Sequence, residues 1–193
     1  MRTRQMRTRQ TSRPLPHAER RASPARGRAR IWVGVNLSVV ALLLTAALAP
    51  AALALESLSA FPRSKLSIQT QAGKQDFDIW VADTPQRSEQ GLMFVRSLPA
   101  ATGMLFPLAR PGVMRIWMKN TLIPLDMLFI DVRGEIIYIQ HNATPESEAI
   151  ITTPPMMVTP VKAVLELAGG ECDRRHIQQG DWVIHFLFGM DAR

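Results

Sequence analysis

The chain has 193 residues, a formal charge of +7 and one cysteine, Cys172, which excludes an intramolecular disulfide. The charge is unevenly placed. Of 23 basic and 16 acidic residues, residues 1–54 hold ten arginines and one acid, Glu19, leaving 13 against 15, or −2, for residues 55–193. A nucleic-acid partner needs a basic surface on the folded part, and no helix-turn-helix, zinc-finger or aromatic–basic RNA signature is present either, so nucleic acid is not expected as a partner.

The leader comes first in chain order. Its arginines end at Arg30, and residues 31–55 carry no charge. Ala52-Leu53-Ala54 supplies small residues where signal peptidase needs them. The pattern predicts a signal peptide over residues 1–54, cleaved after Ala54, and a periplasmic or secreted product. The alternative is an uncleaved membrane anchor with the domain outside the cytoplasm, since the uncharged run is long enough to span a bilayer. Membrane contact is expected only through this segment, if it is kept. Residues 55–64 read as a tether, and residues 65–190 as one domain large enough to bury its own core.

Within the domain, residues 65–71 and 75–83 alternate polar and apolar around a Gln71-Ala72-Gly73-Lys74 turn, the pattern of a hairpin. Thr84 followed by Pro85 predicts a helix start and Gly91 its end. Residues 104–106 form a short apolar run, and residues 113–119 alternate as a strand. Residues 125–131 and 135–141 predict a second hairpin over Val132-Arg133-Gly134. Residues 142–159 hold three prolines and read as a surface loop. Residues 161–167 are predicted as a strand, 172–177 as a short helix and 182–188 as a last strand. Short strands spaced by turns predict a mainly β fold, a compact sandwich or barrel with one or two short helices.

The segment IWMKNTLIPLDMLFI, residues 116–130, raises a chemical question. Strand alternation puts Asp126 on the face of Leu128 and Ile130, where an ionised carboxylate requires a cation, several N–H donors or a proton. Lys119 and Arg96 are the candidate cations, and the Asn120-Thr121 turn offers N–H, amide and hydroxyl groups. Glu166, in KAVLELAGG, shares a face with Val164 and poses the same problem. Asp126 reads equally well as a purely structural acceptor that fixes a turn, and Glu166 as half of an edge-strand ion pair.

The pieces GLMFVRSL, GMLFPLARPG, IWMKNTLIPLDMLFI, HNATPESE and VLELAGG, in that order, resemble the family of domain of unknown function 192 (uncharacterised protein family 0127). The resemblance covers about residues 66–188. It implies a compact, mainly β domain, often exported, with no established activity. The family pattern falls on Gly91, Leu92, Met93, Arg96, Gly103, Met104, Trp117, Met118, Asn120, Thr121, Asp126 and Glu166. The chain departs from it with Ile116 where Phe is usual, and with Arg175-His176 where Leu-Gly is common.

Gly-x-Ser-x-Gly, phosphate-loop, His-Glu-x-x-His and dinucleotide-binding signatures are lacking. Cys172 and His176 lie one helical turn apart but lack an orienting third group. Met93, Met104, Met114, Met118, Met127, Met156 and Met157 offer thioethers that suit Cu(I) in an exported protein, against the commoner role of Met as core filler. No cofactor and no metal ligand set is expected in the leading reading: a binding module for a small polar ligand or an envelope partner, not an enzyme. Its cleft is lined by Arg96, Trp117, Asn120, Thr121, Asp126 and Glu166, with Arg96 clamping an anionic or hydroxyl-rich group. The first alternative is a carboxylate-pair hydrolase, acting for example on carbohydrate, with Asp126 and Glu166 as acid and base. The second is a periplasmic copper-binding protein.

Overall fold

The computed structural model describes residues 55–190; the predicted signal peptide and its cleavage point lie outside the described residues. Seven strands form one sheet in the order β5-β4-β6-β3-β2-β1-β7. They are β1 (Arg63–Thr70), β2 (Gly73–Val81), β3 (Thr102–Gly112), β4 (Leu125–Asp131), β5 (Ile136–Ala143), β6 (Val161–Ala168) and β7 (Trp182–Ile184). Helices α1 (Pro85–Gln90) and α2 (Glu171–Arg174) are short. Among the described residues no helix is long and apolar enough to cross a membrane.

Both predicted hairpins form. β1 and β2 pair antiparallel from Arg63↔Trp80 to Thr70↔Gly73, and β4 pairs with β5. β2 and β3 are parallel, so the chain must cross over between them, and α1 lies in that crossover. Thr84 caps α1 by accepting from the Arg87 N–H at 3.2 Å, with Pro85 as its first residue, as the sequence implies.

The sheet curls until its outer strands meet. Val183 N–H donates to the Gly134 carbonyl at 2.7 Å, and Ile136 N–H to that of Asp181 at 2.9 Å. This closure removes open strand edges. Gly134 makes it possible: its φ is +95°, and a Cβ there would stand 2.6 Å from the Val183 carbonyl oxygen.

Strand alternation then sorts two cores. Leu66, Ile68, Phe77, Ile79, Leu105, Leu128, Ile130 and Leu165 fill the barrel. Met104, Phe106, Met127, Phe129 and Val164 face outward and are covered by Leu92, Met118 and Phe61. β4 is therefore buried along its whole length, which explains its near-continuous apolar sequence.

Three segments differ from expectation. Residues 113–119 are not a strand: only Ile116 makes an isolated bridge, to Ile151. Met114, Ile116 and Met118 still pack against the outer core, so the alternation reflects a covering segment with one side inward rather than ladder pairing. The last strand stops at Ile184, and Phe186–Phe188 is a turn of 3-10 helix capped by His185. Residues 55–64, read as a tether, are fastened down, and β1 already begins at Arg63. Glu56 pairs with Arg87 at 2.8 Å, and Phe61 is buried in the outer core.

Candidate functional site

Asp126 opens the inner face of β4 and is fully buried. Its Oδ1 accepts from Asn142 N–H and its Oδ2 from Cys172 N–H, both at 2.9 Å. A bulge frees the first donor: Leu125 pairs with Ala143 but Met127 with Gln140, so two residues of β5 oppose Asp126. Asn142 takes a left-handed φ of 46° there. The second donor is the second residue of α2, which starts at Glu171 after Gly170. The predicted need for N–H donors is met, but by the end of β5 and the start of α2 rather than by the Asn120-Thr121 turn. The candidate cations lie elsewhere: Lys119 sits 3.7 Å from Glu148, and Arg96 is exposed, with no hydrogen bond or ion pair among the described residues. Asp126 ties three elements together.

Cys172 packs against Asp126, and burial with that neighbouring charge pushes its thiol far above the usual range. It stays protonated, which removes the thiolate a Cys172–His176 nucleophile would need. A recess of about 440 Å³ lies outside it, lined by Tyr138, His141, Asp173 and His176 among others.

Glu166 is on the other face of the sheet, between Met104 of β3 and Met127 of β4. It is 4% exposed and has no hydrogen-bond or ion-pair partner among the described residues. Burial raises its pKa to about 8, so it is protonated at neutral pH. The edge-strand ion pair is therefore absent, since β6 is central and Glu166 unpaired. The carboxylate-pair reading fails on register. Asp126 stands opposite Leu167 and Glu166 opposite Met127, so the two carboxyl groups face opposite sides of the sheet and cannot flank one bond.

The turn at Lys119-Asn120 instead joins two of the sequence motifs. Phe94 N–H donates to the Asn120 carbonyl at 2.8 Å, and Asn120 Nδ2 reaches the Met93 sulfur at 3.8 Å. Asn120 holds φ 57° and Phe94 φ 61° to do so. Thr121 is buried beneath the turn, its carbonyl accepting from Glu146 N–H at 3.0 Å. Beside the turn lies a groove of about 370 Å³, walled by Trp117, Lys119, Asn120 and Met93 on one side and by Gln86, Glu89 and Gln90 of α1 on the other, with Leu55 and Glu56. Lys119 Nζ lies 5.2 Å from the centre of the Trp117 ring.

The predicted cleft therefore divides. Trp117 and Asn120 share the groove; Thr121 supports the turn; Arg96 is on the surface outside the groove wall; Asp126 is inside the barrel; Glu166 lies under the outer layer. The α1 wall was missed, although Gln86, Glu89 and Gln90 fall at i, i+3 and i+4, one face of a helix.

These features define a closed, mainly β domain with an outer groove beside the Lys119-Asn120 turn. The family profile of domain of unknown function 192, described as an uncharacterized ACR, matches residues 67–185, and the chain belongs to that family. A crystal structure from Sinorhizobium meliloti 1021, of a protein whose name proposes a transcription regulator, is 39% identical with a TM-score of 0.60, over 64% of this chain and 93% of that one. A protein of unknown function from Novosphingobium aromaticivorans DSM 12444 is 31% identical with a TM-score of 0.62, over 68% and 91%. No curated protein matches.

Proposed function

We propose that the chain is an exported binding module whose groove between α1 and the Trp117–Asn120 turn takes a small polar ligand or a segment of an envelope partner. The observation that carries this reading is the groove wall. A half-exposed indole, an ammonium group and the Gln86 amide line one recess, with the Gln90 amide fastened to the Glu56 main chain at 2.7 Å at both ends; this is the mix of a flat apolar surface and few polar groups that small-molecule sites use. The Asn120–Phe94 and Asn120–Met93 contacts hold that wall in place before any ligand arrives. Export rests on the arginine-rich, then uncharged, leader ending in Ala52-Leu53-Ala54. The regulator name of one relative is not carried over, because residues 55–193 have a charge of −2. Copper is not favoured either: the Met118 sulfur is sealed in the outer core and that of Met93 faces Asn120.

The test is a thermal-shift screen of sugars, nucleotides, peptides and metals, since a ligand bound only by the native state raises its melting point. A hit must stabilise the wild type and lose its effect in Trp117→Ala and Gln86→Ala. A hit that stabilises both variants as it does the wild type overturns the assignment of the groove.

A further inference from the structure

Beyond the groove, a second surface stands out. Residues 108–118 and 149–165 run side by side. Gly112 pairs with Val161, Ile116 and Ile151 exchange hydrogen bonds of 2.9 and 2.8 Å, and Lys162 Nζ donates to the Leu108 carbonyl at 2.8 Å. Ile151 and Met157 pack inward against the outer core. Their neighbours point out: Met156 is 92% exposed, Val158 91%, Val113 71% and Ile150 58%. Pro154, Pro155 and Pro160 limit the freedom of this loop, and Met157 N–H closes a turn onto the Pro154 carbonyl at 2.9 Å. Its charges are all of one sign. The two segments contain Arg110, Arg115 and Lys162 and no Asp or Glu, and both arginines are exposed without an ion pair among the described residues.

We propose that this surface docks on an anionic lipid bilayer, with Met156, Val158, Val113 and Ile150 entering the headgroup–acyl boundary and Arg110 and Arg115 meeting lipid phosphates. Exposed large apolar side chains flanked by unopposed cations are the chemistry of interfacial binding. A protein partner's core would pair the apolar residues without demanding the unopposed Arg110 and Arg115, and a nucleic acid would use the cations while leaving Met156 and Val158 in water; the exposed acid at the edge, Glu148, is taken up by Lys119 at 3.7 Å. Leu55 lies in the groove beside Trp117, which directly follows the Ile116 that bridges to Ile151. The first described residue therefore lies at the edge of this surface.

Met156 is a built-in reporter. The full chain is footprinted with hydroxyl radicals, read at Met156 and Val158 by mass spectrometry, in buffer, with phosphatidylcholine vesicles, and with vesicles that also contain phosphatidylglycerol. Labelling should fall roughly threefold or more on the anionic vesicles, as side chains leaving water do, and recover when salt screens the cations. Arg110→Ala with Arg115→Ala should abolish the preference for anionic lipid, and Met156→Glu with Val158→Glu should abolish docking of this face, read by protection at Val113 and Ile150. Unchanged labelling on a chain that sediments with vesicles through its leader overturns the proposal. So does protection that grows with protein concentration without lipid, which identifies a second copy, or protection by duplex DNA in place of lipid.

Discussion

Replacing Glu166 by Gln separates a buried, protonated carboxyl from a merely well-packed side chain. Burial holds the folded-state pKa at about 8, against 4.5 for the free group. Between those values the native state keeps its proton while the unfolded chain has lost it. The unfolded state binds fewer protons there, so stability must fall as pH rises through that window. The slope approaches about 1.4 kcal/mol per pH unit, and integration between about pH 5 and pH 8 gives roughly 3 kcal/mol. For a domain of this size that is a fall in Tm of roughly 10 °C. Gln keeps the shape and cannot ionise. The variant should therefore be no more stable than wild type near pH 5, where the buried amide is the less favourable group, and more stable near pH 8, so that the two profiles cross. Urea titrations of both proteins across this range measure the difference directly, because every other titrating group cancels. Parallel profiles would refute the reasoning and show that the carboxyl reaches water or a cation in solution.

Asp126→Asn leaves one acceptor oxygen for two main-chain donors, so the Asn142 or Cys172 N–H faces an amide NH₂. A loss of about 3 kcal/mol in urea unfolding is expected, and a loss below about 1 kcal/mol would contradict the anchoring role. Gly103→Ala places a Cβ 2.4 Å from the Glu166 carbonyl oxygen; β3 and β6 must part, at a cost of about 2–3 kcal/mol, and a variant within about 0.5 kcal/mol of wild type would show that the strands separate freely. His185 is buried, its Nδ1 accepting from Leu187 N–H at 3.3 Å and its Nε2 lying 2.9 Å from Ser64 Oγ. Burial lowers its pKa from 6.5, so the unfolded state takes up the proton first and stability falls as pH drops below about 6.5. His185→Gln should remove that part of the acid slope in thermal melts, and an unchanged slope would count against it.

Much of the fold was legible because its signals are local. The alternation of Phe77, Ile79 and Val81, the Thr84-Pro85 helix start and the hairpin turn at Gly134 each depend on a few neighbouring residues. The pairing order was not legible. Nothing in residues 102–112 says that β3 lies between β2 and β6, because that neighbourhood is set by residues about 25 and 60 positions away. Residues 113–119 misled for a related reason: period-two burial marks a segment with one side inward, whether or not its backbone enters a ladder. The burial of Asp126 followed from its neighbours, but its partners did not, since the bulge that exposes the Asn142 N–H is a property of two strands. The register parting Asp126 from Glu166 is equally non-local.

The motif residues can now be sorted by what they are needed for. Gly91 ends α1, Gly103 admits β6, Asn120 holds a left-handed turn against Met93 and Phe94, and Asp126 gathers two stray N–H groups; each has a backbone reason to be what it is. Leu92, Met104 and Met118 fill the outer core. Trp117 and Arg96 have no such reason. An indole 41% exposed at the rim of a groove stabilises little that a smaller side chain would not, and an exposed guanidinium without a partner stabilises less. If these positions are filled for function, then Trp117→Ala and Arg96→Ala should leave urea unfolding within about 0.5 kcal/mol of wild type, the range of ordinary surface changes, while Trp117→Ala reduces the binding the groove supports. A loss of stability as large as that expected for Asp126→Asn would instead place them with the fastenings of the fold.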